Sequence, residues 1–231
     1  WRSTDCWLMG EASVGSCIAS HIKVLCDNIG VRWAGTDAER AAAEYVAAQH
    51  ALLQLQNRSV EQFALSTADC HASSLKIVDE DTWRLDSRPC LFCPSIDFEA
   101  PVLDVGFGMS HELDPLRGRL LGCIALIQPE FEPFTEPRLL TLRLQDLASA
   151  GAVAAITSSP HYGRRLTHIS GSDWRDDATS VPLPLIQTSR EDAVRLKDRA
   201  AAGVRVAVRV NTERRTATSW NTVDASGDMF P

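Results

Sequence analysis

Long apolar runs are missing from this chain. Nothing in its 231 residues approaches the roughly 20 consecutive apolar residues that a bilayer-spanning helix requires, so no membrane span is expected. A basic surface is missing too. The chain has 23 Lys and Arg against 30 Asp and Glu, a net charge of −7, and no basic cluster longer than Arg164-Arg165 or Arg214-Arg215, which disfavours nucleic acid as a partner. There is no G-x-S-x-G, no G-x-G-x-x-G, no P-loop and no H-E-x-x-H; Gly106-Phe107-Gly108 is a lone G-x-G without the phosphate-cradling context. Internal repeats and low-complexity tracts are absent. Residues 6–15 are too short and too acidic for a signal peptide, with Asp5 before them and Glu11 inside them. The compartment stays unassigned.

What is present is the composition of an ordinary soluble globular protein, 45% hydrophobic and 23% charged, long enough for one large domain or two small ones. Seven cysteines (Cys6, Cys17, Cys26, Cys70, Cys90, Cys93 and Cys123) are odd in number and irregular in spacing, which argues against a disulfide framework. Cys90-Leu91-Phe92-Cys93 is a C-x-x-C. Structural zinc there would need a second pair, and the nearby Cys70-His71 lacks the pattern; a redox pair is the second reading, and ordinary cysteines are the default.

The chain divides by pattern. Residues 1–14 show no periodicity and read as an N-terminal arm. Ser16 can cap a helix that places Ile18, Ile22, Leu25 and Cys26 on one face, with Gly30 just past its end. Thr36 or Asp37 caps a second helix of about twenty residues, with Ala41, Tyr45, Ala48, Leu52 and Leu55 on its apolar side. Residues 60–67 alternate loosely as a strand. The signal weakens over residues 69–94, where residues 76–85 suggest a short strand and a turn around Asp79-Glu80-Asp81.

The organising stretch is residues 116–159. A strand-like run over 120–127 leads through Pro129, Pro133 and Pro137 to a helix over 139–150, where Leu139, Leu142, Leu144 and Leu147 lie mostly at helical spacing. Gly151 stands at the cap, and an apolar run follows over 152–156. Strand, helix, strand is a βαβ-type unit, so the fold class is α/β or α+β. Polar residues 161–180 read as a long loop, 181–189 as a strand, 190–202 as a helix and 204–210 as an alternating strand. Residues 211–215 then form a polar break, and 216–225 a last strand.

These phrases carry two resemblances. The basic pair at Gly118-Arg119 before a strand, the helix ending Ala148-Ser149-Ala150-Gly151-Ala152, the entering strand Ala100-Pro101-Val102-Leu103 and the phrase Val181-Pro182 to Ile186 and Ser189 resemble the protease-associated domain. The N-terminal phrase Gly30-x-Arg32-x-x-Gly35-Thr36 between two helices, with Ala42, Tyr45 and Val46, resembles the opening of zinc-dependent aminopeptidases related to glutamate carboxypeptidase and the transferrin receptor. The stretch Thr218-Ser219-Trp220-Asn221-Thr222-Val223-Asp224-Ala225 resembles that family's re-entry strand, with its Asn-Val step slightly altered. The resemblances imply an arm (1–14), a helical segment of an incomplete peptidase-type α/β fold (15–66), a protease-associated domain (67–212) and a return strand (213–231).

In the resembling peptidases an H-x-D phrase carries the first zinc ligand in the next strand. None of His21, His50, His71, His111, His161 and His168 lies in such a phrase. His21 and His50 read as helix residues, His111 as a loop residue beside Glu112, and His161 and His168 as solvated. No catalytic, cofactor-binding or metal residue is therefore assigned, and zinc is implied only for a full-length protein. Asp79-Glu80-Asp81 reads as a solvated turn. Asp173, Asp176 and Asp177 lack the spacing of a calcium loop. Arg32 reads as fixing its loop by ion pairing. The function expected is a non-catalytic portion of an aminopeptidase-like protein whose inserted domain modulates substrate access or protein interaction. The alternative is a stand-alone protein-binding module of the protease-associated type. Partners implied are a peptide or protein substrate of the full-length protein, and the catalytic half or a second copy of the chain.

Overall fold

The computed structural model describes residues 2–53, 59–78, 83–130, 133–171 and 181–223. The chain forms two compact units, one built from Trp1–Thr67 with Thr216–Pro231 and one from Ala68–Arg215.

The first unit begins with helix α1 (Arg2–Val14), which replaces the aperiodic arm expected from the sequence. It buries no residue, so its helicity comes from good helix formers such as Leu8, Met9, Glu11 and Ala12 rather than from an amphipathic face. Helix α2 (Ile18–Ile22) widens into a π-helical segment, Lys23–Ile29, where Gly30 N–H reaches back five residues to Leu25 O at 3.1 Å. Helix α3 (Asp37–Leu52) starts where the sequence places it. Thr36 Oγ1 accepts from Glu39 N–H at 3.3 Å, and Glu39 Oε2 accepts from Gly35 N–H at 2.5 Å, so two amides at the helix start are satisfied. Gly35 has φ +80°, and a Cβ there would collide with the Cβ of Ala217. Only glycine meets both conditions. The strand ends 59–67 and 216–223 complete the unit.

Strands β1 (Ser59–Ile77), β2 (Arg84–Leu85), β3 (Ser87–Pro89), β4 (Ile96–Asp104), β5 (Ile124–Ile127), β6 (Ala154–Ser158), β7 (Leu185–Thr188) and β8 (Arg205–Val223) form one sheet in the order β2-β1-β8-β4-β5-β6-β7-β3. The segment from β4 through β7 is parallel, with Val102 opposite Ile124, Ile124 opposite Ala154 and Ile156 opposite Ile186; β8 on β4 and β3 on β7 are antiparallel. Parallel neighbours require crossover connections; helix α6 (Leu140–Ser149) supplies the one from β5 to β6, and helix α7 (Arg190–Ala200) links β7 to the antiparallel β8. The short helices α4 (Ser110–Leu113) and α5 (Arg117–Leu120) lie between β4 and β5. Strands β5 and β7 are buried along their whole length and join Leu144, Leu147, Leu196 and Ala200 in one core.

Three expectations need correction. The run over 120–127 is a strand only at Ile124–Ile127: Leu120 ends helix α5 fully buried, and the chain turns at Gly122, whose N–H donates to Gly151 O at 2.9 Å. The break at 211–215 is strand, because its polar groups find partners: Thr212 Oγ1 donates to Cys93 O at 2.6 Å, and Arg215 pairs with Asp69 at 2.5 Å. The strand expected over 60–67 runs on to Ile77, and the short strand suggested within 76–85 is β2, which pairs antiparallel with the end of β1 at Leu75 opposite Leu85. Its turn, Asp79-Glu80-Asp81, lies outside the described residues, as do Leu55, Asp173, Asp176, Asp177 and the residues after Val223.

Candidate functional site

In open α/β sheets ligands bind beyond the carboxyl ends of the parallel strands. In the second unit a cleft of about 190 Å3 lies there. Asp104 ends β4, Gln128 follows β5, and Ser158 ends β6; Arg190 and Lys197, seven residues apart on α7, come from the helix that follows β7. Asp104 Oδ2 pairs with Lys197 Nζ at 3.1 Å, and Oδ1 accepts from Gly106 N–H at 3.2 Å. The Arg190 guanidinium lies 4.5 Å from the ring centroid of Tyr162 and donates to Pro160 O at 3.3 Å. Ile127, Pro129 and Val194 supply apolar wall, and Glu130 adds a negative group. One opening thus presents charges of both signs beside an apolar surface.

The frame of this cleft is pinned from beneath. Arg143 is buried, and its Nη2 donates to Gln128 O at 2.6 Å; burial lowers the Arg143 pKa, and the Glu112 charge opposes that shift. At the other side the Asp192 carboxylate is buried, and its Oδ2 accepts from Arg164 Nη2 at 2.7 Å and from Asp86 N–H at 3.0 Å. Glu191 Oε1 accepts from Gly163 N–H at 2.8 Å, and hydrogen bonds from its own amide and from Gly163 hold its pKa below the usual carboxylate value.

Asp104, Arg190 and Lys197 escape a reading based on motifs, because no motif contains them. The strand-end rule alone would single out Asp104 and Ser158, once the strand ends are placed. Gly106-Phe107-Gly108 forms the turn after β4. Its amides are already taken, since Glu112 accepts from Phe107 N–H at 3.2 Å and from Met109 N–H at 3.0 Å. A Cβ on Gly106, which has φ +60°, would strike that carboxylate.

The histidines do not converge. His21 Nδ1 lies 2.7 Å from Tyr45 Oη, His71 lies 3.3 Å from Glu213, and His111 sits on α4 rather than in a loop. Arg32 fixes its loop by donating to the carbonyls of Leu25 and Gly30, and among the described residues it makes no ion pair. Among the described residues no three His, Cys, Asp or Glu side chains come together that could hold a metal ion. These residues do not fit a zinc centre.

Cys90 and Cys93 are buried in the second unit and carry free thiols. Cys93 N–H donates to Cys90 O at 3.1 Å, closing a four-residue turn with Phe92 at φ +62°. The Cys93 thiol raises the Cys90 pKa and the Cys90 thiol lowers that of Cys93, with burial adding to the first shift and opposing the second. Cys70 is exposed as a residue, and the partial burial of its sulfur raises its pKa.

Three solved structures share the fold. An aminopeptidase from Aneurinibacillus sp. strain AM-1 aligns over 88% of this chain and 47% of its own, at 22% identity and a TM-score of 0.63. A zinc aminopeptidase from Bacillus subtilis aligns over 88% and 44%, at 20% identity and 0.65. A peptidase M28 precursor from Shewanella amazonensis aligns over 96% and 53%, at 17% identity and 0.69. The chain therefore spans about half the length of each. No protein-family model and no curated protein sequence matches the chain. Among the described residues no helix is long and apolar enough to cross a membrane.

Proposed function

We propose that this chain is the amino-terminal portion of a zinc-dependent aminopeptidase-like protein, with a protease-associated domain at residues 67–212. In that reading the domain modulates substrate access or protein contacts, and the chain hydrolyses nothing by itself. Zinc belongs to a full-length protein. The described residues offer no ligand set for it, so no catalytic step is assigned to them.

The observation that carries the proposal is fold combined with span: the chain follows about half of each of three peptidase structures. The two units add support, because one continuous stretch, Ala68–Arg215, interrupts a unit made from both ends of the chain, as an inserted domain does. The cleft at Asp104, Arg190 and Lys197 is the surface we assign to peptide or protein contact, since its mixed charges and apolar wall suit the ends and side chains of a peptide.

The test is the natural reading frame downstream of the Pro231 codon, followed by assay of both proteins. Coding is expected to continue into an H-x-D strand. The longer protein should bind zinc and release nitroaniline from aminoacyl-nitroanilides, while the 231-residue chain does neither. A natural stop at Pro231, with peptide binding by the chain alone, would instead favour a stand-alone module of the protease-associated type.

A further inference from the structure

The Cys90–Cys93 turn has no role in the reading above, and its geometry suits one reaction. A turn closed by a carbonyl and the amide three residues on holds its end Cα atoms within about 7 Å. A disulfide spans Cα separations of about 4.4–6.8 Å. The turn between these cysteines is closed in that way at 3.1 Å, and both residues are buried. Phe92 inside the turn adopts φ +62°, a conformation that L side chains other than Asn and Asp rarely take. It is held there by Arg214, whose Nη2 donates to Phe92 O at 3.3 Å and whose guanidinium lies 5.8 Å from the Phe92 ring centroid. Neighbouring elements fix the turn further. Cys90 N–H donates to Leu185 O at 2.9 Å, Leu91 N–H donates to Ile169 O at 2.9 Å, and Thr212 Oγ1 donates to Cys93 O at 2.6 Å.

We propose that Cys90 and Cys93 are a redox pair that closes to an intramolecular disulfide with a small hydroperoxide as oxidant. The burial of both sulfurs sets the size of that oxidant. Cys90 is 3% and Cys93 1% exposed, and a Cβ at Gly171 would sit only 3.3 Å from the Cys90 sulfur. A protein thiol or glutathione cannot approach either sulfur in this packing, whereas hydrogen peroxide is hardly larger than water. Cys93, whose pKa the Cys90 thiol lowers, is the attacking sulfur. It attacks one peroxide oxygen, the O–O bond breaks, and an S–O bond forms; the leaving hydroxide takes a proton and departs as water. The Cys90 sulfur then gives up its proton and attacks the Cys93 sulfenic acid. The S–S bond forms, the S–O bond breaks, and a second water leaves. Two thiols lose two electrons and two protons, and one peroxide is reduced to two waters.

The reaction joins residues only three apart. Little chain entropy is removed on closure, so the bond fixes the local turn rather than stapling the fold.

The test uses the purified, reduced 231-residue chain. It is treated with hydrogen peroxide near stoichiometry, quenched, unfolded, alkylated with iodoacetamide, digested with trypsin and analysed by mass spectrometry. The expected result is a peptide containing Cys90 and Cys93 that carries no alkyl group and is two hydrogens lighter; dithiothreitol before alkylation restores both alkyl sites. In Cys90→Ser, Cys93 should be trapped by dimedone as the sulfenic acid. In Cys93→Ser, Cys90 should remain alkylated after the same treatment. Two alkyl groups on the wild-type peptide, while the exposed Cys6, Cys17, Cys26 and Cys70 are oxidised, would overturn the proposal. A cross-link from Cys93 to Cys70 in place of Cys90 would also overturn it.

Discussion

The hydroxyl of Ser219 donates to Oε1 of Glu39 across 180 residues of sequence, while Oε2 of the same carboxylate accepts from Gly35 N–H. One side chain thus caps a helix and ties it to a strand of the same unit. Glu39→Ala is expected to lower the stability of that unit by about 1–2 kcal/mol, read by urea denaturation. Combined with Ser219→Ala the loss should be less than additive, because both changes remove one hydrogen bond. Full additivity would show that the two residues do not act together.

Gly35→Ala places a methyl against Ala217 and forces an L side chain to φ +80°. The expected cost is about 1–3 kcal/mol. Ala217→Gly in the same chain should recover the part due to collision and leave the part due to the backbone, so partial rescue is the informative result.

Leu196 on α7 is fully buried, and Leu196→Ala should cost about 2–5 kcal/mol by leaving a cavity beneath the cleft. Val194 on the same helix is 58% exposed, and Val194→Ala should change stability by less than about 0.5 kcal/mol. Similar losses at both positions would contradict the assigned orientation of α7.

The pKa of His168 is lowered from the ordinary value of 6.5, chiefly by burial and then by the Arg88 charge. For a base with a lowered folded value the unfolded chain binds the proton more readily, so folding stability falls as pH drops below about 6.5 and levels off once the folded group is protonated. His168→Gln should flatten that part of the stability-against-pH curve. An unchanged curve would assign the dependence to other groups.

Trp7, Leu8 and Met9 on α1 are 62%, 53% and 72% exposed, and α1, α2 and α3 bury no residue. Apolar groups in that number on one helix favour association. Sedimentation velocity over a range of concentrations should show self-association that Trp7→Lys with Met9→Lys weakens. A monomer at high concentration would remove the expectation.

The parallel core was the most legible part of the sequence. The apolar runs around Ile124 and Ile156, with a periodic helix and Gly151 between them, could hardly be anything but buried neighbouring strands. Thr36, one of the two cap residues offered, likewise announced the start of α3. The polar stretch Asn211-Thr212-Glu213-Arg214-Arg215 looked like a break because its pairing depends on partners over a hundred residues away, such as Cys93 and Asp69. Helix α1 was illegible because it has no apolar stripe. The cleft was hidden for a third reason: Asp104 ends β4 while Arg190 and Lys197 lie on α7, over eighty residues further on, and only the fold brings them together.

Asp69 and Arg215, near the entrance and at the exit of the second unit, are ion-paired at 2.5 Å, and the strands that carry them are neighbours in the sheet. A stretch of chain whose entrance and exit meet makes no demand on the spacing of the sequence around it. Such a stretch can pass between genes as a cassette, or be spliced out and bridged by a few residues. Its evolutionary history need not be that of the residues on either side.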